Sequence, residues 1–176
     1  VLLVSGLIFG PYGAIGSVIA NFLCDLIRGY NPILAITSEI VSFGVSYLAY
    51  KLWYEKFKGR TEISRPKLNN TSNVLLFFGI ILVCGMLYSL AHGKLFYLVY
   101  PRTRLINSII EIRYFLNFIN SSFIFGILGI WISNKFDFAY IPKISKKGYN
   151  KKLYKILGIL LILTLLLTLI IDYTLD

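Results

Sequence analysis

The chain has 176 residues and a formal net charge of +10, yet only 15% of its residues are charged and 57% are hydrophobic. A soluble domain needs a more polar surface, and its hydrophobic share is usually about 45–50%. The composition therefore excludes an ordinary soluble domain. It also argues against nucleic acid as a partner, because basic residues grouped between apolar stretches fit lipid head groups better. We expect a single integral membrane domain over residues 1–176, with membrane lipid around it.

Long apolar stretches fill most of the chain, and a membrane-spanning helix needs about 20 mostly apolar residues. No strand pattern competes with helices, and lipid excludes open sheets because their edge amides would be unpaired. The predicted fold class is therefore all-α, a polytopic transmembrane bundle of about six helices with the first one truncated. These helices are predicted at residues 1–10, 14–28, 33–53, 74–91, 105–133 and 154–172.

Two short segments are predicted to interrupt the first three helices. Pro11 and Gly13 break the chain at residues 10–13, after the first apolar stretch, and the sequence Gly-Tyr-Asn-Pro at 29–32 makes a tight turn. Residues 1–10 are too short to span a membrane. We therefore expect them to be the tail of a helix in a longer protein whose first segment lies upstream of Val1.

Basic residues predict the orientation of the bundle. Residues 51–67 and 135–155 hold 13 of the 18 lysines and arginines. Two predicted helices separate these segments, so they lie on the same side, and loops rich in lysine and arginine stay in the cytoplasm. The sequence therefore predicts a multi-pass protein of the cell membrane with cytoplasmic loops at 51–73 and 134–153. Trp53, where the third helix meets the first loop, is predicted to be an interface anchor.

Polar residues inside the early helices are the first candidates for a site. An ionisable residue at the bilayer centre costs about 2.5–3.5 kcal/mol, so each needs a reason. Asn21 and Asp25 are four residues apart and share a helix face, and Arg28 can pair with Asp25. One interpretation is an ion pair that anchors the following turn; the other is one wall of a ligand site open to the outside. Glu39, in the next helix, requires a cation, for which Arg28 or Arg113 could serve.

The predicted fifth helix carries a second polar set near its outer end. Glu111 and Arg113 point to different faces, and Asn117 shares the Arg113 face. Polar residues at this depth normally face the bundle interior or a water-filled cavity. A ligand pocket is one interpretation, and hydrogen bonding between helices without a ligand is the other.

Other candidates have simpler interpretations. Gly13, Gly16 and Ala20 form a small-residue seam that would let another helix approach closely. His92, the only histidine, is predicted at the outer interface, and no residues at ligand spacing accompany it, so we expect no metal site. We also expect no cofactor and no enzymatic activity, because no nucleophile with its base, phosphate-binding glycine loop or acid–base carboxylate pair is visible.

One family resemblance arises from the first third of the chain. The segment 6–16 (GLIFGPYGAIG), followed by Asn21, by Asp25 and Leu26, and by Gly29 and Tyr30, resembles the substrate-binding S components of energy-coupling factor transporters. The resemblance implies an S-component-like core at 1–133, a basic loop at 134–153 and an extra C-terminal transmembrane helix at 154–172. It further implies uptake of a small solute with a coupling transmembrane subunit and ATPases as partners.

A second resemblance gives an alternative function. The segments 50–54 and 140–143 are similar to the membrane sensory modules of some prokaryotic phosphatases and histidine kinases. The chain would then be a sensor or membrane anchor whose cytoplasmic effector is separate from it. A structural membrane protein without a ligand is a third possibility. The identity of the ligand stays open among zwitterions, vitamins and nucleoside-like solutes.

Overall fold

The computed structural model describes residues 1–54, 65–99 and 104–139. Within them the chain forms four helices, α1 Leu2–Ile27, α2 Pro32–Tyr54, α3 Thr71–Val99 and α4 Arg104–Phe136, and no strand. All four contain stretches long and apolar enough to cross a membrane. The all-α class is thus confirmed, but four helices are seen where about six were predicted. The first two predicted helices are one element here, and residues 154–172 lie outside the described part of the chain.

Helix α1 is broken at Gly10, as the sequence predicted. Gly10 has φ 61° and ψ −140°, a conformation open essentially only to glycine, and Pro11 follows it. Gly13 packs directly against the backbone of Ser5 and the side chain of Phe9. In a continuous helix, residues eight apart would be separated by about 12 Å. The arm before Gly10 (residues 2–9) therefore folds back along the arm after it (residues 11–27).

The turn between α1 and α2 is also present as predicted, and local hydrogen bonds explain it. Gly29 has φ 78°, and the amides of Gly29 and Tyr30 donate to the carbonyls of Leu26 and Asp25. This is a Schellman ending, in which a left-handed glycine terminates the helix. The Asn31 side chain then accepts a hydrogen bond of 2.9 Å from the Ile33 amide and caps α2.

The four helices pack in a ring, with α1 against α2 and α4, and α3 against α2 and α4. The core lies at the centre of this ring and contains residues from each helix, among them Leu7, Trp53, Ile81 and Ile130. Ser46 donates a 2.7 Å hydrogen bond to the Leu2 carbonyl, and Gly6 lies directly on the Ser46 backbone. The first arm of α1 is therefore held tightly in the centre of the bundle.

The bundle has two ends of different chemistry. At the Pro66 end, Asn134 donates a 2.7 Å hydrogen bond to the Pro66 carbonyl, and Arg65 pairs with Asp137. The ring of Phe9, beside the break in α1, stacks on Phe138 with centroids 5.7 Å apart, so the break lies at this end too. The opposite end, called the Tyr30 end below, carries the turn between α1 and α2.

Candidate functional site

A cavity of about 300 Å³ opens at the Tyr30 end of the bundle. Its walls come from the end of α1, the first turns of α2, the second half of α3 and one residue of α4. The lining residues are Asn21, Cys24, Asp25, Arg28, Tyr30, Leu34, Ala35, Ser38, Glu39, Tyr88, His92, Phe96 and Tyr114. A volume of this size holds about ten water molecules, or a solute of similar bulk.

Glu39 is the most deeply placed acidic residue of the cavity. It is only 5% exposed, and its Oε2 is buried without a hydrogen-bond partner. The hydroxyl of Ser42, one turn further along α2, interacts with the carboxyl group, and Asp25 is near enough to act on it electrostatically. A buried carboxylate is costly unless a cation or hydrogen-bond donors surround it. One side of the Glu39 carboxyl group therefore lacks a partner within the described residues.

His92 is held in the cavity wall by two hydrogen bonds. Its Nδ1 lies 3.0 Å from the Tyr88 carbonyl, which can only accept, so Nδ1 carries a hydrogen. Its Nε2 lies 3.1 Å from the Ser38 hydroxyl, which donates to it in the neutral ring. His92 is 3% exposed. It is therefore a buried part of the cavity wall at the Tyr30 end, where it ties α3 to α2, and its predicted position at the outer membrane interface stays a prediction.

Aromatic rings complete the wall on the α3 and α4 side. The Tyr88 ring lies 4.0 Å from the His92 ring and 6.2 Å from Tyr114, between centroids. Phe96 lies 5.9 Å from Tyr114. Ser42 interacts with the Tyr88 phenol as well as with Glu39. These contacts fix the rings against one another, so that a solute would meet a preformed aromatic surface.

Four of the predicted ligand-binding residues come together in this cavity. Asn21, Asp25 and Arg28 line it from α1, and Glu39 lines it from α2. The predicted pairing of Asp25 or Glu39 with Arg28 is not formed, since neither carboxylate lies within 4.0 Å of a lysine or arginine of the described residues. Arg28 is exposed at the rim.

The three predicted residues of α4 lie elsewhere. Glu111 pairs with Lys94 at 3.8 Å and packs over Gly93. Arg113 and Asn117 are exposed on the outside of the bundle. Their neighbour Tyr114 faces the cavity instead. On α4 the cavity is thus lined by Tyr114 and not by the three predicted residues, and Tyr88, His92 and Phe96 of α3 line it without having been predicted as ligand-binding residues.

The residues of the predicted small-residue seam also lie in different surroundings. Gly13 is buried against the first arm of α1, as a close helix contact requires. Gly16 has open space where a Cβ would lie, and Ala20 is exposed. Within the described residues, only Gly13 of this seam makes a close helix contact. On α4, by contrast, Gly126 faces Phe77, and Gly129 faces Val4 and Ile8.

Glu39 also borders an apolar groove between α1 and α2. This groove measures about 430 Å³ and is otherwise lined by aliphatic and aromatic residues such as Val18, Phe22 and Phe43. The carboxyl group therefore stands between a polar cavity and an apolar surface. In the part of the chain that the structure describes, no group of three or more histidine, cysteine or acidic residues could hold a metal ion.

Comparison with known proteins gives no relative. No family model matches the chain, and no curated protein or solved structure matches it. The chemistry of the cavity is therefore the guide to function. Its groups are two carboxylates, one arginine, a hydrogen-bonded histidine and several aromatic rings, which are elements that bind and orient a small molecule.

Proposed function

We propose that the chain is a multi-pass membrane protein that binds a small solute in the cavity at the Tyr30 end, in the manner of an S component. The observation that carries the proposal is Glu39, a buried carboxyl group that lines a polar cavity and has one oxygen without a partner. Ionisable groups at this depth in a bundle of apolar helices are costly and are commonly found where a substrate or ion binds.

Helix lengths support a transmembrane arrangement. The second arm of α1 has 17 residues, and α2, α3 and α4 have 23, 29 and 33. A spanning helix needs about 17–25 residues. Exposed apolar side chains such as Ile19, Ile40 and Ile124 cover the outside of the bundle, where lipid would meet them.

Charge supports an outward-facing cavity. The Pro66 end carries Lys51, Arg65, Lys67 and Lys135, and the basic segments 55–64 and 140–155 connect to it in sequence. By the preference of lysine and arginine for cytoplasmic loops, this end faces the cytoplasm. The Tyr30 end and its cavity then open to the outside, where a solute for uptake arrives. Uptake would require a coupling transmembrane subunit and ATPases as partners.

The first prediction is ligand stabilisation. We expect one class among vitamins, nucleobases, amino acids and amines to raise the melting temperature of the full protein in detergent. A solute that binds only the folded state adds about 2.7 kcal/mol at 100 times its Kd. Unfolding can be followed with a thiol-reactive dye in a Cys24→Ser background, because Cys24 is exposed, whereas Cys84 is fully buried and becomes reactive only when the bundle opens.

A matched pair of variants places the bound solute in the cavity. Cys24 is exposed and lines the cavity mouth, whereas Leu23 is exposed beside it and lines the apolar groove. Cys24→Trp should remove the stabilisation whatever the charge of the solute, and Leu23→Trp should keep it. If no solute of a broad panel stabilises the protein, or if both variants bind equally well, the proposal fails and the polar residues act only between helices.

A further inference from the structure

We infer that the solute of this cavity is a small organic cation, a protonated or quaternary amine, whose positive group lies against Glu39 and the aromatic wall. The inference rests on the proposed solute-binding function and names its substrate class. The inference follows from three features of the cavity. Its carboxyl groups have no cationic partner among the described residues, and the nearby histidine and lysine already have other partners. Aromatic rings also line the cavity.

The cavity carries more acidic than basic groups. Asp25 and Glu39 both line it, and among the described residues Arg28 is the only lysine or arginine that does so. Arg28 is exposed at the rim and makes no ion pair with either carboxylate among the described residues. Glu39, by contrast, is nearly completely buried. The deep part of the cavity therefore has a buried carboxyl group without a cation beside it among the described residues, and both Asp25 and Glu39 would attract a positive group.

His92 does not supply the missing positive charge. Both ring nitrogens are used by neutral partners, Nδ1 by the Tyr88 carbonyl at 3.0 Å and Nε2 by the Ser38 hydroxyl at 3.1 Å. Neither nitrogen is directed at a carboxylate. Lys94 pairs with Glu111 at 3.8 Å and is not among the residues that line the cavity. The described residues therefore supply no partner for Glu39 Oε2, and the group that we place beside Glu39 is the positive group of a bound solute.

The aromatic wall favours an organic cation over a bare metal ion. Tyr88, Tyr114 and Phe96 present rings to the cavity, with Tyr30 at its mouth. The faces of aromatic rings attract cations, and groups of such rings recognise quaternary and protonated amines. Many metal sites are built from histidine, cysteine and acidic side chains, and the described residues contain no group of three or more of these that could hold a metal ion. The cavity size of about 300 Å³ fits a small amine.

The test compares charged and neutral compounds of nearly equal shape. Choline is paired with 3,3-dimethylbutan-1-ol, and benzylamine with benzyl alcohol, each measured by thermal shift and by calorimetry on the full protein in detergent. We expect at least one amine to bind at least about tenfold more tightly than its neutral counterpart, since a charged hydrogen bond or ion pair to a buried carboxylate is lost with the charge.

Variants assign the effect to Glu39. Glu39→Gln keeps the size of the side chain and should weaken amine binding by about ten- to hundredfold. Asp137→Asn makes the same chemical change at the Pro66 end, on an exposed side chain, and should leave binding unchanged. Arg28→Ala removes a positive charge from the cavity lining and should tighten amine binding, whereas a zwitterion held by its carboxylate would bind more weakly.

The outcomes separate this inference from the proposed function. If the neutral compounds bind as well as the amines, or if Glu39→Gln binds amines as tightly as the parent, the cation inference is wrong. The same holds if only acids or neutral members of the wider panel stabilise the protein, although solute binding then stands. If no compound of any class stabilises it, both proposals fail.

Discussion

Replacing Trp53 by alanine is expected to destabilise the bundle by about 3–5 kcal/mol, the usual cost of removing a large buried ring. Trp53 is 0% exposed and belongs to the central core near the Pro66 end. Its loss leaves a cavity whose lining atoms lose their packing partners, and packing is the main force between helices in lipid. For a chain of this length the melting temperature should fall by about 6–20 °C.

The second tryptophan provides the control. Trp131 lies on α4 with 58% of its surface exposed, under the Nζ of Lys135 at 5.1 Å from the ring centroid. Trp131→Ala should change the stability by less than about 1 kcal/mol. The melting curves can be followed by labelling of Cys84. Equal losses in the two variants would contradict the packing described for α2.

Replacing Gly6 by alanine is the second large effect that we expect. A Cβ on Gly6 would collide with the carbonyl group and side chain of Ser46, and a backbone carbonyl cannot move aside as a flexible side chain can. The first arm of α1 would have to shift away from α2, which weakens the 2.7 Å hydrogen bond from Ser46 to Leu2. Overpacking of this kind costs about 1–3 kcal/mol.

Gly16→Ala is the matched control on the same helix. Nothing lies within 4 Å of the position that its Cβ would take. Alanine favours a helix over glycine by about 1 kcal/mol, so this variant should be as stable as the parent or slightly more stable. A loss at Gly16 as large as that at Gly6 would mean that the small-residue seam packs against another helix after all, as the sequence alone predicted.

Local features of the fold could be predicted from the sequence because neighbouring residues determine them. The turn at Gly29 needs a left-handed residue and a helix cap, and Gly29 and Asn31 supply both. The break at Gly10 needs glycine and a following proline, and both are present. The polar side of α2 can also be read from the sequence, since Glu39, Ser42 and Ser46 are three or four residues apart and share a face, and all three are buried.

Which side of α4 faces the bundle could not be predicted. In a soluble protein the polar face is the outer one, but in lipid apolar side chains cover both the core and the outside. The α4 sequence is apolar around much of its circumference, so the pattern around Arg113 and Asn117 did not show that these two are exposed and that Tyr114 faces the cavity.

Contacts between distant segments could not be predicted from the sequence either. His92 enters the site through Ser38, 54 residues earlier in the chain. Trp53 was predicted to be an interface anchor from its place at a helix end, yet the first arm of α1 and the neighbouring helices bury it completely. Contacts and burial of this kind depend on how the helices pack against one another, and the sequence of a single helix does not determine that packing.

The central claim is that the cavity at the Tyr30 end is open to the outside and takes up a solute, and Cys24 reports on it most directly. The chain has two cysteines, and only Cys24 is exposed. In intact cells, a membrane-impermeant maleimide should label the protein but not the Cys24→Ser variant, and choline or benzylamine should slow the labelling. Labelling that occurs only after the cells are opened, or that no solute of the panel slows, would contradict the account.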